Sequence, residues 1–261
     1  MIAKHRLFVV AAAIAMGAPL SRVVPAQEAV DQKAVAQQLL STEVEDRFRA
    51  LAQARALGPS RIGPELRDAL IAALEVENRR TKSRHEAALR GEYLEDRDEF
   101  YPEVAEVVVA LRTARAIPAL AGALGHGMMV IRALVDFGES AVPAVLTVVT
   151  SEDSLVPAVD DGLHTLQLVV EGSETRPLSP ATRRVIVAAA RQRLSGSQFD
   201  TVLCNASDLA VALNDRGLRE IVQRLAEDGN EVVSRGVTDP SLVEHVQRRA
   251  AAALAKAAAR R

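Results

Sequence analysis

Apolar residues recur along most of this chain at three- and four-residue steps, the spacing that gathers side chains on one face of an α-helix. Val44, Phe48, Leu51 and Arg55 form the first such stripe, with the arginine closing it at the surface. Leu66, Leu70, Ala73 and Leu74 form the next, and Val104, Val107, Val108 and Leu111 repeat it. Ile117, Leu120, Ala121 and Leu124 follow, then Val130, Leu134 and Phe137, then Val142, Val145, Leu146 and Val149. Further faces run through Leu155, Val159, Leu163 and Leu166, through Val202, Leu203, Ala206 and Leu209, and through Leu218, Ile221, Val222 and Leu225. No comparable stretch alternates as a half-buried strand does, and no Asn-Gly hairpin signal is present. The pattern predicts an all-α chain of short amphipathic helices.

Glycine and proline punctuate these stripes regularly. Gly58-Pro59 and Gly63-Pro64 bracket one helix start, Gly125-His126-Gly127 separates two helices, and Gly138 ends another. Pro118 and Pro143 each fall where a first helical turn is expected, where the missing N–H costs nothing. The intervening links are only a few residues long, so successive helices are expected to pack antiparallel.

The chain also resembles itself. ALRTARAIPALAGAL aligns with ALVDFGESAVPAVLTVV across a two-residue gap, pairing Ile117-Pro118-Ala119-Leu120 with Val142-Pro143-Ala144-Val145. ALNDRGLREIVQRLAED and LGPSRIGPELRDALIAAL fit the same scheme more loosely. Each unit is a helix, a short Gly- or Asp-containing turn, and a second helix opening near a proline. This resembles HEAT repeats, especially the short bacterial HEAT-like kind, through the phrases AIPALAGAL and AVPAVL over about Val104 to Val149. The usual Asp-x-x-Val-Arg opening of the first helix is missing; Met129-Val130-Ile131-Arg132 is its nearest approach. The resemblance implies a right-handed α-solenoid of antiparallel helix pairs, irregular at both ends, that serves as an interaction scaffold.

Two segments depart from the repeat. Residues 75–101 (EVENRRTKSRHEAALRGEYLEDRDEFY) are expected to continue the second helix of the first unit and break near Gly91, as a charged excursion or a degenerate repeat. Residues 171–180 (EGSETRPLSP) read as a surface loop. The stretch from Val243 to Arg261 reads as Ala-rich helix with basic residues at its end, favourable for the helix dipole.

Composition changes the picture in three ways. Aromatics are 3% with no Trp, so the core must be built from Ala, Leu and Val, and base-stacking nucleic-acid binding is disfavoured. A formal charge of −2 argues against a dedicated nucleic-acid surface. The start of the chain has the order of a secretory signal peptide: basic Lys4, His5 and Arg6, an uncharged run from Leu7 to Ala18, then Val24-Pro25-Ala26 ahead of Gln27. That run is shorter than the roughly 20 residues a spanning helix needs. Residues 1–26 are therefore expected to be removed, leaving 27–261 as one helical repeat domain with a charge of −5 and no membrane anchor. Of the 32 basic residues only Lys4, Lys33, Lys82 and Lys256 are lysine. That bias points to a GC-rich bacterial genome, and with the signal to the periplasm or the medium. The single thiol, Cys204, cannot form an intrachain disulfide and sits in an apolar-periodic stretch, as a buried inert thiol does.

Candidate chemistry is sparse. His85, His126, His164 and His245 are far apart and form no zinc-type spacing. Glu92, Glu95, Asp96, Asp98 and Glu99 are calcium-type ligands without the Asp-x-Asp-x-Asp-Gly order, and Arg97 lies among them, so a solvated face is expected. Arg183, Arg184, Arg191 and Arg193 are likewise expected on a solvated helix face. No Gly-x-Ser-x-Gly elbow or phosphate loop is present, and no cofactor is implied. Two function classes remain: an exported scaffold that binds a protein or peptide, and an enzyme of unrecognised type, lyase-like by resemblance to some HEAT-like proteins or a hydrolase. The absence of any close pair of catalytic residue types favours the scaffold. The candidate binding residues are Arg79, Arg80, Glu92, Tyr93, Asp96 and Tyr101, because aromatic and arginine side chains together are what interface hot spots favour. The competing reading has Tyr93, Leu94 and Phe100 docking the excursion onto the repeats. N-terminal sequencing of exported protein should begin at Gln27; material beginning at Met1 overturns the cleavage assignment.

Overall fold

The computed structural model describes residues 30–92, 100–196 and 198–259. The signal-peptide assignment, Tyr93, Asp96 and most of the acidic cluster lie outside the described residues. Within them every regular element is helical: α1 Gln32–Leu39, α2 Val44–Leu57, α3 Pro64–Leu89, α4 Phe100–Ala110, α5 Ile117–Gly122, α6 Met128–Phe137, α7 Val142–Thr150, α8 Val156–Glu171, α9 Pro180–Ser195, α10 Asp200–Leu213, α11 Arg216–Glu227, α12 Gly229–Ser234 and α13 Pro240–Ala259.

Local chemistry sets the ends of these helices. Asp31 caps α1 by accepting from Lys33 N and Ala34 N at 3.1 and 3.2 Å. Asp215 caps α11 by accepting from Leu218 N at 3.0 Å. Proline occupies the first turn of α3, α5, α7, α8 and α9. Gly138, at φ +60°, turns the chain out of α6, a left-handed conformation that glycine enters without a Cβ clash. The apolar stretch from Met128 to Thr150, long enough on composition to cross a bilayer, is thereby divided into α6 and α7.

The helices from Asp31 onward form one compact unit in which alternate helices pack on each other. One row runs α2, α4, α6, α8, α10 and α13; the other runs α3, α5, α7, α9 and α11. The rows meet where α3 lies on α4, α7 on α8, and α9 on α10, while α1 covers α2 and α3. Pro118 and Pro143 thus open neighbouring helices of one row, with Ile117 and Val142 buried. The core is aliphatic, and each fully buried leucine, such as Leu51, Leu66, Leu70 or Leu134, contributes about 2 kcal/mol. Small residues let the rows approach closely. A Cβ on Gly162 of α8 would sit 2.6 Å from Val149 Cγ2 of α7, so only glycine fits that crossing.

Two expectations change. The α2 stripe is rotated: Val44 is 38% exposed, and Arg47 joins Ala50, Leu51 and Ala54 on the buried face. Arg47 is tolerated there because its Nη1 donates to Glu77 Oε1 at 2.7 Å and its guanidinium lies 4.9 Å from the centre of the Phe100 ring. Arg193 is also buried rather than on a solvated face, because its donors meet backbone carbonyls of the neighbouring helix end. The charged segment continues the helix that precedes it and breaks at Gly91. Residues 75–89 simply lengthen α3 to 26 residues, Gly91 follows at φ +78°, and Phe100 and Tyr101 open α4. Val142→Asp would bury an unpaired carboxylate, and a fall of about 10 °C in thermal midpoint is expected. An unchanged midpoint would place Val142 outside the core.

Candidate functional site

The sequence-predicted binding residues are not gathered into one surface. Arg79 is exposed on α3. Arg80 turns inward and its Nη1 donates to Glu77 Oε1 at 2.7 Å, joining Arg47 on the same buried carboxylate. Glu92 is exposed and accepts from Arg90 Nε at 2.8 Å. Tyr101 is 5% exposed: its hydroxyl donates to Asn78 Oδ1 at 2.7 Å and its ring lies 4.2 Å from that of His126. Burial raises the Tyr101 pKa, with the Glu77 charge adding to it. Asn78 in turn donates from Nδ2 to Ala119 O at 2.8 Å. Tyr101 therefore ties α4 and α5 to α3, and the expectation that it presents an aromatic edge to a partner gives way to a packing role.

The stronger concave surface is on α9 and α11. α9 is held at both ends. At its start Ser179 accepts from Thr182 N at 3.1 Å, and Glu139 accepts from Ser179 N at 3.2 Å and from the Thr182 hydroxyl. These hydrogen bonds to Ser179 and Thr182 hold the Glu139 carboxyl below its ordinary pKa. At its end Arg193 donates to Val149 O at 2.6 Å and Ser151 O at 2.8 Å, closing the C-terminus of α7. Burial lowers the Arg193 pKa. Arg235 returns the arrangement by donating to Leu194 O at 2.9 Å.

The outward face of this fixed helix, from Pro180 to Ser195, borders a depression of about 860 Å³ whose other wall is Leu213, Asn214 and Asp215. Arg184 and Arg191 stand on its rim, and Val187 and Ala188 lie between them. Arg183 reaches across to donate to Leu213 O. At Asn214 a second depression of about 710 Å³ continues along α11, bordered by Arg216, Arg219 and Arg224. At Gln192 the first depression adjoins a cleft of about 670 Å³ at the ends of α7, α9 and α12. That cleft carries Arg193, the 63%-exposed Phe199 and the 40%-exposed Leu242, with Glu152, Asp200 and Asp239 around them.

No family model, curated protein or solved structure matches this chain. The chemistry must therefore be taken from the residues alone. Among the described residues, no three or more of His, Cys, Asp and Glu are grouped to hold a metal ion. Cys204 is buried, and desolvation pushes its thiol up to about 11, which keeps it protonated at neutral pH. What the α9–α11 surface offers is a set of exposed guanidinium donors over a partly apolar floor, suited to binding an extended ligand.

Sequence reasoning noticed the arginines of α9 but not their partnership with α11. A usable signal was present: Leu218, Ile221, Val222 and Leu225 define one face of α11, which leaves Arg216 and Arg224 outside it.

Glu139 gives a pH test of the α9 anchor. Its folded pKa is depressed, so its contribution is complete above the ordinary glutamate value and is lost as pH falls through the folded value. Glu139→Gln should lower the thermal midpoint at pH 7, and the gap to the native protein should narrow as pH falls below the ordinary glutamate value. A gap that persists at low pH would show that the carboxylate charge is not the anchor.

Proposed function

We propose that this chain is an exported HEAT-like scaffold, a right-handed solenoid of antiparallel helix pairs that binds an extended segment of another protein or a peptide. The observation that carries this reading is the run of concave surface along α9 and α11, bordered by arginines and backed by two rows of packed helices. A helical array of this kind offers one long face on fixed elements, which suits an extended ligand better than a small substrate. The anchoring of α9 by Glu139 and Arg193 supports it further, because a pre-organised surface spends less ordering entropy on binding.

The test is selection of a displayed random-peptide library on the purified chain, followed by calorimetry on the enriched sequences. Enriched peptides binding with one-to-one stoichiometry and Kd values of about 1–100 µM are expected. No enrichment, and no saturable complex with any selected sequence, would sink the scaffold reading.

A further inference from the structure

The two depressions that meet at Asn214 are bordered by six arginines, at 183, 184, 191, 216, 219 and 224, against two carboxylates, Asp215 and Glu220. The whole chain has a formal charge of −2, so this excess of positive charge is local to one surface. Much of it is weakly neutralised. Arg191 lies 3.8 Å from Asp215, and Arg224 lies 3.7 Å from Glu231, both long for ion pairs. The Arg184 guanidinium meets no acceptor among the described residues, and the Nε of Arg219 is buried without a hydrogen-bond partner. Arg216 holds a nearer partner, Glu220 at 3.0 Å, but its side chain is 94% exposed, so that pair contributes little.

We propose that this surface is the docking site for an acidic segment of a partner protein, bound in extended conformation along α9. The inference rests on the scaffold reading and names the chemistry of its ligand. Five features set that ligand. Arginine presents forked donors that match carboxylates, and donors left without acceptors gain most from a carboxylate that supplies them. The face of α9 from Pro180 to Ser195 is about 22 Å long, which accommodates roughly seven residues of extended chain. Arg184 and Arg191 are seven residues apart on the helix, about 10 Å along its axis, so they meet acidic side chains spaced about three residues apart. Val187 and Ala188 lie between those two positions and face the intervening small or apolar residues. Beyond Gln192 the surface changes sign: Glu152, Asp200 and Asp239 surround Phe199 and Leu242. The acidic run therefore stops there, and an apolar residue follows it.

The probe is a fluorescein-labelled peptide of about twelve residues with Asp or Glu at every third position, read by fluorescence anisotropy against the full chain. Its Asn/Gln counterpart and a single-stranded DNA of equal charge are read beside it. The acidic peptide should bind, the Asn/Gln peptide should bind at least about tenfold more weakly, and affinity should fall several-fold as salt is raised from about 50 to about 300 mM. Arg184→Glu with Arg191→Glu should weaken the acidic peptide by about tenfold or more with the thermal midpoint unchanged, since both side chains are exposed. Arg132→Glu, a single charge reversal on the exposed side of α6, should leave the affinity unaltered, whereas Arg184→Glu or Arg191→Glu alone, the same change of net charge, should each weaken it. Weakening by Arg132→Glu equal to that of either single reversal would mean that only net charge is being read, and would overturn the site. DNA binding as tight as the peptide, with the same dependence on Arg184 and Arg191, would overturn the protein ligand. If the acidic peptide fails while library-selected peptides bind and survive the Arg184 and Arg191 reversals, the acidic site falls and the scaffold stands. If neither class binds, both fall.

Discussion

The last carbonyls of an α-helix have no partner within the helix and need donors from elsewhere. In this chain the donors are arginines supplied by other elements. Arg193 closes α7, Arg235 closes α9, Arg183 closes α10, and Arg176 donates to Asp136 O near the end of α6. Arg61 does the same for α2 through Leu57 O and Ala56 O. Each contact joins a helix end to a neighbouring element and adds a directional bond to the packing between them. This gives the predominance of arginine over lysine a physical use: a planar fork can satisfy two carbonyls at once, whereas an ammonium group is a single point charge.

The scarcity of aromatics imposes the second condition. A core of Ala, Val and Leu has small side chains and demands close helix approach, as at Gly162 against Val149. The larger groups are concentrated at one place, where α2, α3 and α4 meet. There Phe100 is fully buried, with Phe48 edge-on at 5.5 Å and the Arg47–Glu77 pair beside it. Removing one partner of such a buried pair strands the other, at a cost of about 3–5 kcal/mol. Arg80 is a second donor to Glu77, so loss of Arg47 leaves that carboxylate paired.

Much of the helical pattern was legible because it is local. Pro118 and Pro143 mark first turns by their own covalent geometry, and Ile117 and Val142 beside them are buried as their repeat positions required. The failures share one cause, which is chemistry completed at a distance. Arg47 reads as polar until Glu77, thirty residues on, neutralises it. Arg193 reads as solvated until Val149 and Ser151 accept its protons. Tyr101 reads as an exposed aromatic until Asn78 and His126 enclose it. The depression beside α9 belongs to the same class, since its other wall, the end of α10 at Leu213 and the turn through Asp215, lies beyond most of α10 in the sequence.

The alternation of contacts carries a consequence for motion. Among the described residues, substantial packing joins helices no more than three apart in the chain order. A distortion introduced at one helix therefore passes first to its near neighbours in the chain and reaches distant helices mainly through the interfaces between.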